Sequence, residues 1–336
     1  MTAQVEAPAA RTIPDRIDSP FRRWKRWEVL LGAVAVAIFV FNAFASPHFL
    51  NAYNLSDATF NFTEKAIIAF AMALLIIAGE IDLSVASIVA IASVAMGAAA
   101  TAGANPATLV VIGLVVGLAA GAVNGFIVTR FKSPSIVVTI GTMSLFRGIA
   151  YVVLGDQVYR TYPPGFDWFG QGYVWWVFSF EFVLFLGLAV IFGIVLHRTV
   201  FGRRIYTIGN NPVAAQFSGV RVDRIRFILF LLTGLMSGLA SVLLTSRIAS
   251  TRPTIATGYE LEIVTMVVLG GVSILGGSGT IPGVVIAAFV MGLVTFGFGL
   301  FNVPGVVQSI FIGALLISVI ALPIVWGKVA ARLRPR

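Results

Sequence analysis

From residue 28 onward the chain is a succession of ten apolar runs: 28–46, 64–79, 84–101, 107–129, 135–155, 174–196, 227–246, 262–275, 281–301 and 305–327. A helix needs about 20 apolar residues to cross the hydrocarbon core of a bilayer. In lipid every backbone N–H and C=O must be paired within the segment, so repeated runs of this kind fold as helices. Hydrophobic residues make up 58% of the chain and charged ones 11%, against roughly 25% charged in a soluble domain. No soluble fold hides that much apolar surface. The reading is an all-α integral membrane protein with about ten transmembrane helices. Residues 1–27 form an N-terminal tail, 28–327 one transmembrane domain, and 328–336 a C-terminal tail. Runs 64–79 and 262–275 are short, as broken or re-entrant helices are.

The charges fix an orientation. With ten spans and an inside N-terminus, the inside segments hold 18 of the 23 Lys and Arg residues. The five left over are Lys65, Arg147, Arg160, Arg247 and Arg252. Such a bias follows the positive-inside rule and puts both termini in the cytoplasm. The net charge of +9 therefore reports topology; no nucleic-acid partner is expected. The largest inside segment is 197–226, with six arginines and His197. Trp24 and Trp27 mark the inner interface of the first span, and Trp168, Trp175 and Trp176 the outer interface of the sixth.

Little here suggests catalysis. Without cysteine, disulfides and thiolate chemistry are excluded. His48 and His197 stand far apart, so neither a metal site nor a Ser-His-Asp hydrolase is expected. The Gly-rich stretch LGGVSILGGSGTIPG, with Gly270 and Gly271, lacks the GxxxxGK[ST] pattern of an ATP-binding loop. It reads as close packing or an unwound turn.

The polar residues inside the apolar frame are the candidates for a translocation path. Gly79-Glu80-Ile81-Asp82-Leu83-Ser84 places two carboxylates in a break, and buried ionisable groups of this kind face a cavity or a partner. Asp82 or Ser84 also suits the N-cap of the helix beginning near Val85; the two roles are compatible. Arg147, inside the fifth span, calls for a carboxylate or a water-filled cavity, with Asp82 or Glu80 as a partner by charge. Asn124 reads as a bond between helices. Stretches 71–97 and 262–292 both run apolar, Gly-rich break, apolar, and both end Met-Gly. Transporters often contain such repeats, with sites at the breaks.

Within 197–226, Asn210 or Asn211 can cap a helix beginning at Pro212, and Gly219 can end it. Val213, Phe217 and Ala214 share one face of that helix. Such a helix docks a soluble partner or lies on anionic membrane lipid.

Four ordered motifs carry a resemblance: AGEIDLSVASIVA, PSIVVTIGTMSLFRGIAYV, GRRIYTIGNNPVAAQFSGVRV and GYELEIVTMVVLGGVSILGGSGTIPG. Together they resemble permease subunits of bacterial ABC importers for monosaccharides, the ribose-type (branched-chain amino acid/ribose) permease family, over about residues 28–327. The resemblance implies a type II importer-like bundle in the bacterial inner membrane. Its partners would be a cytoplasmic ABC ATPase, a periplasmic sugar-binding protein and a second permease subunit, identical or related. ATP would be used by the ATPase, with no cofactor on this chain. It also implies that Pro212–Gly219 is the coupling helix, with Ala214, Ala215 and Gly219 matching the small residues of the family's docking motif. The acidic first position of that motif is Val213 here. The family's GGIDLS is GEIDLS here, which adds Glu80. The TMVVLGGVSILGGSGT segment is similar to permeases for rhamnose and for autoinducer-2. The rival expectation is an ion-coupled secondary transporter of a small polar solute, with Asp82, Glu80 and Arg147 as its relay.

Overall fold

The computed structural model describes residues 20–333; the expectations for residues 1–19 and 334–336 of the two tails lie outside them. The helices are α1 Pro20–Ala45, α2 Ala52–Phe60, α3 Thr63–Ile77, α4 Val85–Thr101, α5 Pro106–Phe131, α6 Ser135–Leu154 and α7 Trp168–Gln171. After a hairpin come α8 Phe180–Arg198, α9 Val200–Asn210, α10 Pro212–Phe217, α11 Val222–Ile248, α12 Tyr259–Leu269, α13 Ile281–Leu300 and α14 Gly305–Leu333. The first helix starts at Pro20, so it takes in the basic cluster assigned to the tail. The hairpin, β1 Tyr173–Trp175 with β2 Phe178–Ser179, is antiparallel. The sequence places these residues at the start of the sixth span, 174–196, but strand pairing keeps them out of the helix, which begins at Phe180. Trp176 at its tip has φ +46°, which turns the chain between the two strands.

Six described helices are each long and apolar enough to cross a membrane: α5, α6, α8, α11, α13 and the Trp27–Ala45 part of α1. The pair α2 and α3, bent by 45° at its break, makes a seventh if counted as one span. Helix α4 and the Gly305–Val319 part of α14 are shorter apolar helices, and α12 has 11 residues.

Local chemistry explains the helix starts. Asn105 accepts the Thr108 N–H at 2.9 Å ahead of Pro106 in the first turn of α5. Ser179 does the same for α8 through Phe182, and Thr280 for α13 through Gly283. These are N-caps that satisfy otherwise orphaned donors.

Helix α3 is the centre of the molecule, buried along its whole length and enclosed by α8, α11, α12 and α13. A helix apolar all round belongs in that position. The tightest pair is α5 with α11. On α5, Gly113, Gly117, Gly121 and Gly125 recur every four residues; the first three face Gly234 and Gly238 of α11, and Gly125 faces Phe227 and Phe230. A Cβ at Gly117 would lie 2.4 Å from the Gly234 carbonyl oxygen, and one at Gly234 2.3 Å from that of Gly117. This stripe lets two backbones touch, as small residues do between membrane helices.

The two stretches that look alike in sequence take the same form. Helices α3 and α4 flank one break, residues 78–84, and α12 and α13 flank the other, residues 270–280. Their Met-Gly endings also match in packing: a Cβ at Gly97 would meet the ring of Tyr159 at 2.3 Å, and one at Gly292 the ring of Phe62 at 2.2 Å.

Candidate functional site

The two breaks and residues 197–226 lie at the same end of the bundle. Thr199 caps α9 by accepting the Gly202 N–H at 3.2 Å, and α9 is amphipathic: Gly202, Ile205 and Ile208 are buried, while Arg203, Arg204 and Thr207 are exposed. Asn211 then reverses the chain and its Oδ1 accepts the Ala214 N–H at 3.0 Å, starting α10 at Pro212. Gly219, at φ +81°, ends it, since a left-handed position is open to glycine at no steric cost.

This short helix presents Val213 at 60% exposure and Phe217 at 89%, with Pro212 and Ala214 also exposed. Ala215 is 4% exposed and belongs to the hydrophobic core. It therefore has no outward face, and the expected grouping of Ala214 with Ala215 as docking residues divides between surface and interior.

In the first break, Gly79 takes φ +84°, and the Gly79 and Glu80 N–H groups donate back to Ile76 and Leu75. Glu80 Oε1 lies 2.9 Å from Arg226 Nε, at the start of α11. Asp82 is fully buried. Its Oδ1 accepts the Ser84 N–H at 2.9 Å and the Ser84 O–H at 2.6 Å. Asn124 Nδ2, from α5, donates to Ser84 Oγ at 2.7 Å and to Asp82 at 3.4 Å. Asp82 thus organises the turn into α4, while Ser84, at the N-cap position, makes no side-chain capping bond.

The second break has its own anchors. Gly270 packs against Val284 and Gly283, and Gly271, at φ +84°, lies under the Trp27 ring. Trp27 Nε1 donates to the Leu269 carbonyl at 2.9 Å, and Thr280 donates to Glu28 at 2.5 Å. Tyr206 of α9 donates its O–H to the Gly279 carbonyl at 2.6 Å. Burial pushes that phenol up to about 12, so the donor stays protonated at any working pH.

Arg147 is not part of this assembly. Its Nη1 donates to the carbonyls of Pro253 and Ile255 at 2.6 and 2.8 Å, in the connection from α11 to α12. Charge alone suggested Asp82 or Glu80, yet α6 begins beside the first break, where Ser135 Oγ accepts the Ile81 N–H. Twelve residues of helix, at about 1.5 Å each, carry Arg147 away toward the opposite end.

That opposite end holds a cluster that reading the runs one at a time did not assemble. Arg247 grips Glu64 through two bonds of 2.8 and 3.1 Å, and Lys65 pairs with Glu262 at 2.5 Å. Glu181 is fully buried; Thr63 donates to its Oε2 at 3.1 Å, and its Oε1 has no hydrogen-bond partner among the described residues. Each residue alone is an ordinary charge at a span edge. Only α3, α8, α11 and α12 side by side bring them together.

A model of the family described as branched-chain amino acid transport system / permease component matches residues 54–320. The chain is 34% identical over 272 residues to the ribose import permease protein RbsC of Bacillus subtilis, covering 80% of this chain and 84% of that one. It is 33% identical over 289 residues to the L-arabinose ABC transporter permease protein AraH of Azospirillum brasilense, covering 84% of each. With the fructose import permease protein FrcC of Rhizobium meliloti it shares 31% identity over 311 residues, 90% of this chain and 86% of that one. No solved structure matches. With two thirds and more of the chain aligned to sugar-import permeases, and helices suited to a membrane, the chain belongs to the branched-chain amino acid transport system / permease component family, as a permease of the ribose-type group.

Proposed function

We propose that this chain is the membrane subunit of an ATP-driven importer that moves a monosaccharide into the cytoplasm. The observation that carries this reading is α10. A six-residue helix that leaves Phe217 and Val213 bare, between arginine-bearing segments, is shaped to enter a groove on a soluble partner. That partner is a cytoplasmic ABC ATPase, which binds and hydrolyses the ATP. A periplasmic sugar-binding protein delivers the substrate, and a second permease subunit completes the pore. The names of the relatives, permeases for ribose, arabinose and fructose, support a sugar as cargo.

The membrane reading behind this is ten passes of a bacterial inner membrane, made by α1, α3, α4, α5, α6, α8, α11, α12, α13 and α14, with both termini in the cytoplasm. The four shorter or broken helices complete the count that the six long ones begin. The translocation path runs along the two breaks, where Asp82, Ser84, Gly270 and Gly271 interrupt regular helix. Rhamnose is the first sugar to test, because the TMVVLGGVSILGGSGT segment resembles rhamnose permeases.

The test is reconstitution in liposomes with the cognate ATPase and binding protein, across a panel of sugars. One sugar with its binding protein should stimulate ATP hydrolysis and accumulate inside. Uptake by the chain alone, driven by an ion gradient without the ATPase, would overturn the proposal.

A further inference from the structure

Helix α9 ends at Gly209 and Asn210, directly before the turn into α10. Three backbones meet there. A Cβ on Gly209 would lie 1.8 Å from the Ile77 carbonyl oxygen, at the end of α3, and 2.4 Å from the Gly277 nitrogen, in the second break. The Gly277 N–H donates to that same Ile77 oxygen at 2.8 Å. A Cβ on Gly276 would lie 3.2 Å from the Gly209 oxygen and 3.2 Å from Gly79 Cα. Thus one carbonyl at the mouth of the first break is shared with the second break, and the helix leading into α10 rests on both.

Side chains fasten this junction. Asn210 Nδ2 donates to the Gly277 carbonyl at 3.2 Å and to Tyr206 O at 2.8 Å, and the Tyr206 O–H holds Gly279. Beyond α10, Arg226 meets Glu80 of the first break. The coupling segment is therefore tied to the first break on both flanks and to the second break on one. The breaks are also where the interior helices lose their internal hydrogen bonds, so reorientation costs least there.

We propose that Gly209 is a positioning residue: it transmits displacement of α10 to both helix breaks at once, so that the helices beyond them, α4 and α13, turn together. This rests on the reading of α10 as the ATPase-docking helix. Glycine is required because any Cβ would strike backbone on two other segments, and backbone cannot rotate aside as a side-chain tip can.

The experiment uses the permease reconstituted with its ATPase and binding protein, and reads sugar imported per ATP hydrolysed in assembled complexes. Gly209→Ala should lower that ratio by about tenfold or more, the cost of wedging one methyl group into a closed contact. The double variant Tyr206→Phe with Asn210→Ala leaves the backbone contact untouched, and so serves even where Gly209→Ala does not assemble. It should lower the ratio by roughly two- to tenfold per lost hydrogen bond. Gly148→Ala, with nothing within 4 Å of its Cβ, is the control and should leave the ratio unchanged. An unaltered ratio in Gly209→Ala overturns the proposal, as does an unaltered ratio in the double variant. Sugar uptake by the wild-type chain without the ATPase overturns the functional reading and the proposal with it.

Discussion

Arg226 Nε sits 2.9 Å from Glu80 Oε1, joining the N-terminal part of α11 to the break between α3 and α4. The N–H does not meet hydrogen-bond geometry, so the contact acts through charge. Both side chains are largely shielded from solvent, which puts the pair between an exposed one, worth about 1 kcal/mol or less, and a fully buried one, whose breakage costs about 3–5 kcal/mol. Glu80→Gln should therefore lower stability by about 1–3 kcal/mol. The exchange of both charges, Glu80→Arg with Arg226→Glu, should recover at least half of the loss. Thermal unfolding in detergent measures both. A double variant no better than the worse single one would show that the pair contributes nothing as a pair.

The glycine stripe between α5 and α11 makes a sharper contrast. Gly117→Ala places a methyl group 2.4 Å from the Gly234 oxygen, and the only relief is to separate two backbones. That overpacking should cost about 1–3 kcal/mol. Gly141→Ala on α6 meets nothing within 4 Å; it should be neutral or stabilising by about 0.5–1 kcal/mol, because a helical glycine carries an entropic cost that alanine does not. Equal melting temperatures for the two variants would mean that α5 and α11 do not touch along this stripe.

The buried carboxylates at the opposite end behave asymmetrically. Arg247 binds both oxygens of Glu64, and Glu181 shares the neighbourhood with one oxygen unpartnered. Arg247→Met strands two buried acids and should cost about 3–5 kcal/mol. Glu181→Gln removes one negative charge, keeps an acceptor for the Thr63 O–H, and should be neutral or stabilising. Finding Arg247→Met as stable as Glu181→Gln would remove the case for an ion-paired cluster.

What could be read from the chain depended on how local each signal was. The helical frame and the two breaks are written in composition and glycine placement, and so is the α10 start, where Asn211 and Pro212 act on residues next to them. Partners across the fold were not legible. Sign of charge pairs Arg147 with Asp82 or Glu80, yet two carbonyls of the connection from α11 to α12, those of Pro253 and Ile255, satisfy it. Glu80 meets Arg226, one of the six arginines of 197–226 for which the positive-inside bias alone gives a sufficient reason. The four-residue glycine period on α5 gained its meaning only from its facing partner on α11, about a hundred residues away. Helix α12 is apolar enough to be read from the chain, but its 11 residues are too few to cross a bilayer alone, and only its enclosure by α3 and α13 shows why so short a helix sits inside the bundle.

The last prediction separates the two faces of α10. Phe217 is almost bare and Ala215 is buried under the helix, so substitutions at the two positions should fail differently. Phe217→Ala removes no internal contact of consequence, and thermal stability of the isolated permease should change by less than about 0.5 kcal/mol. If this ring enters a groove on the ATPase, it is an aromatic anchor of the contact, and its loss should weaken association by about 2 kcal/mol or more, roughly thirtyfold in Kd. Ala215→Leu instead forces extra methyl groups between α10 and the core, and should lower stability of the isolated chain by about 1–3 kcal/mol. Co-purification with the ATPase and thermal unfolding of the permease alone, measured on both variants, distinguish the effects. Phe217→Ala with wild-type ATPase affinity would move the docking surface away from α10.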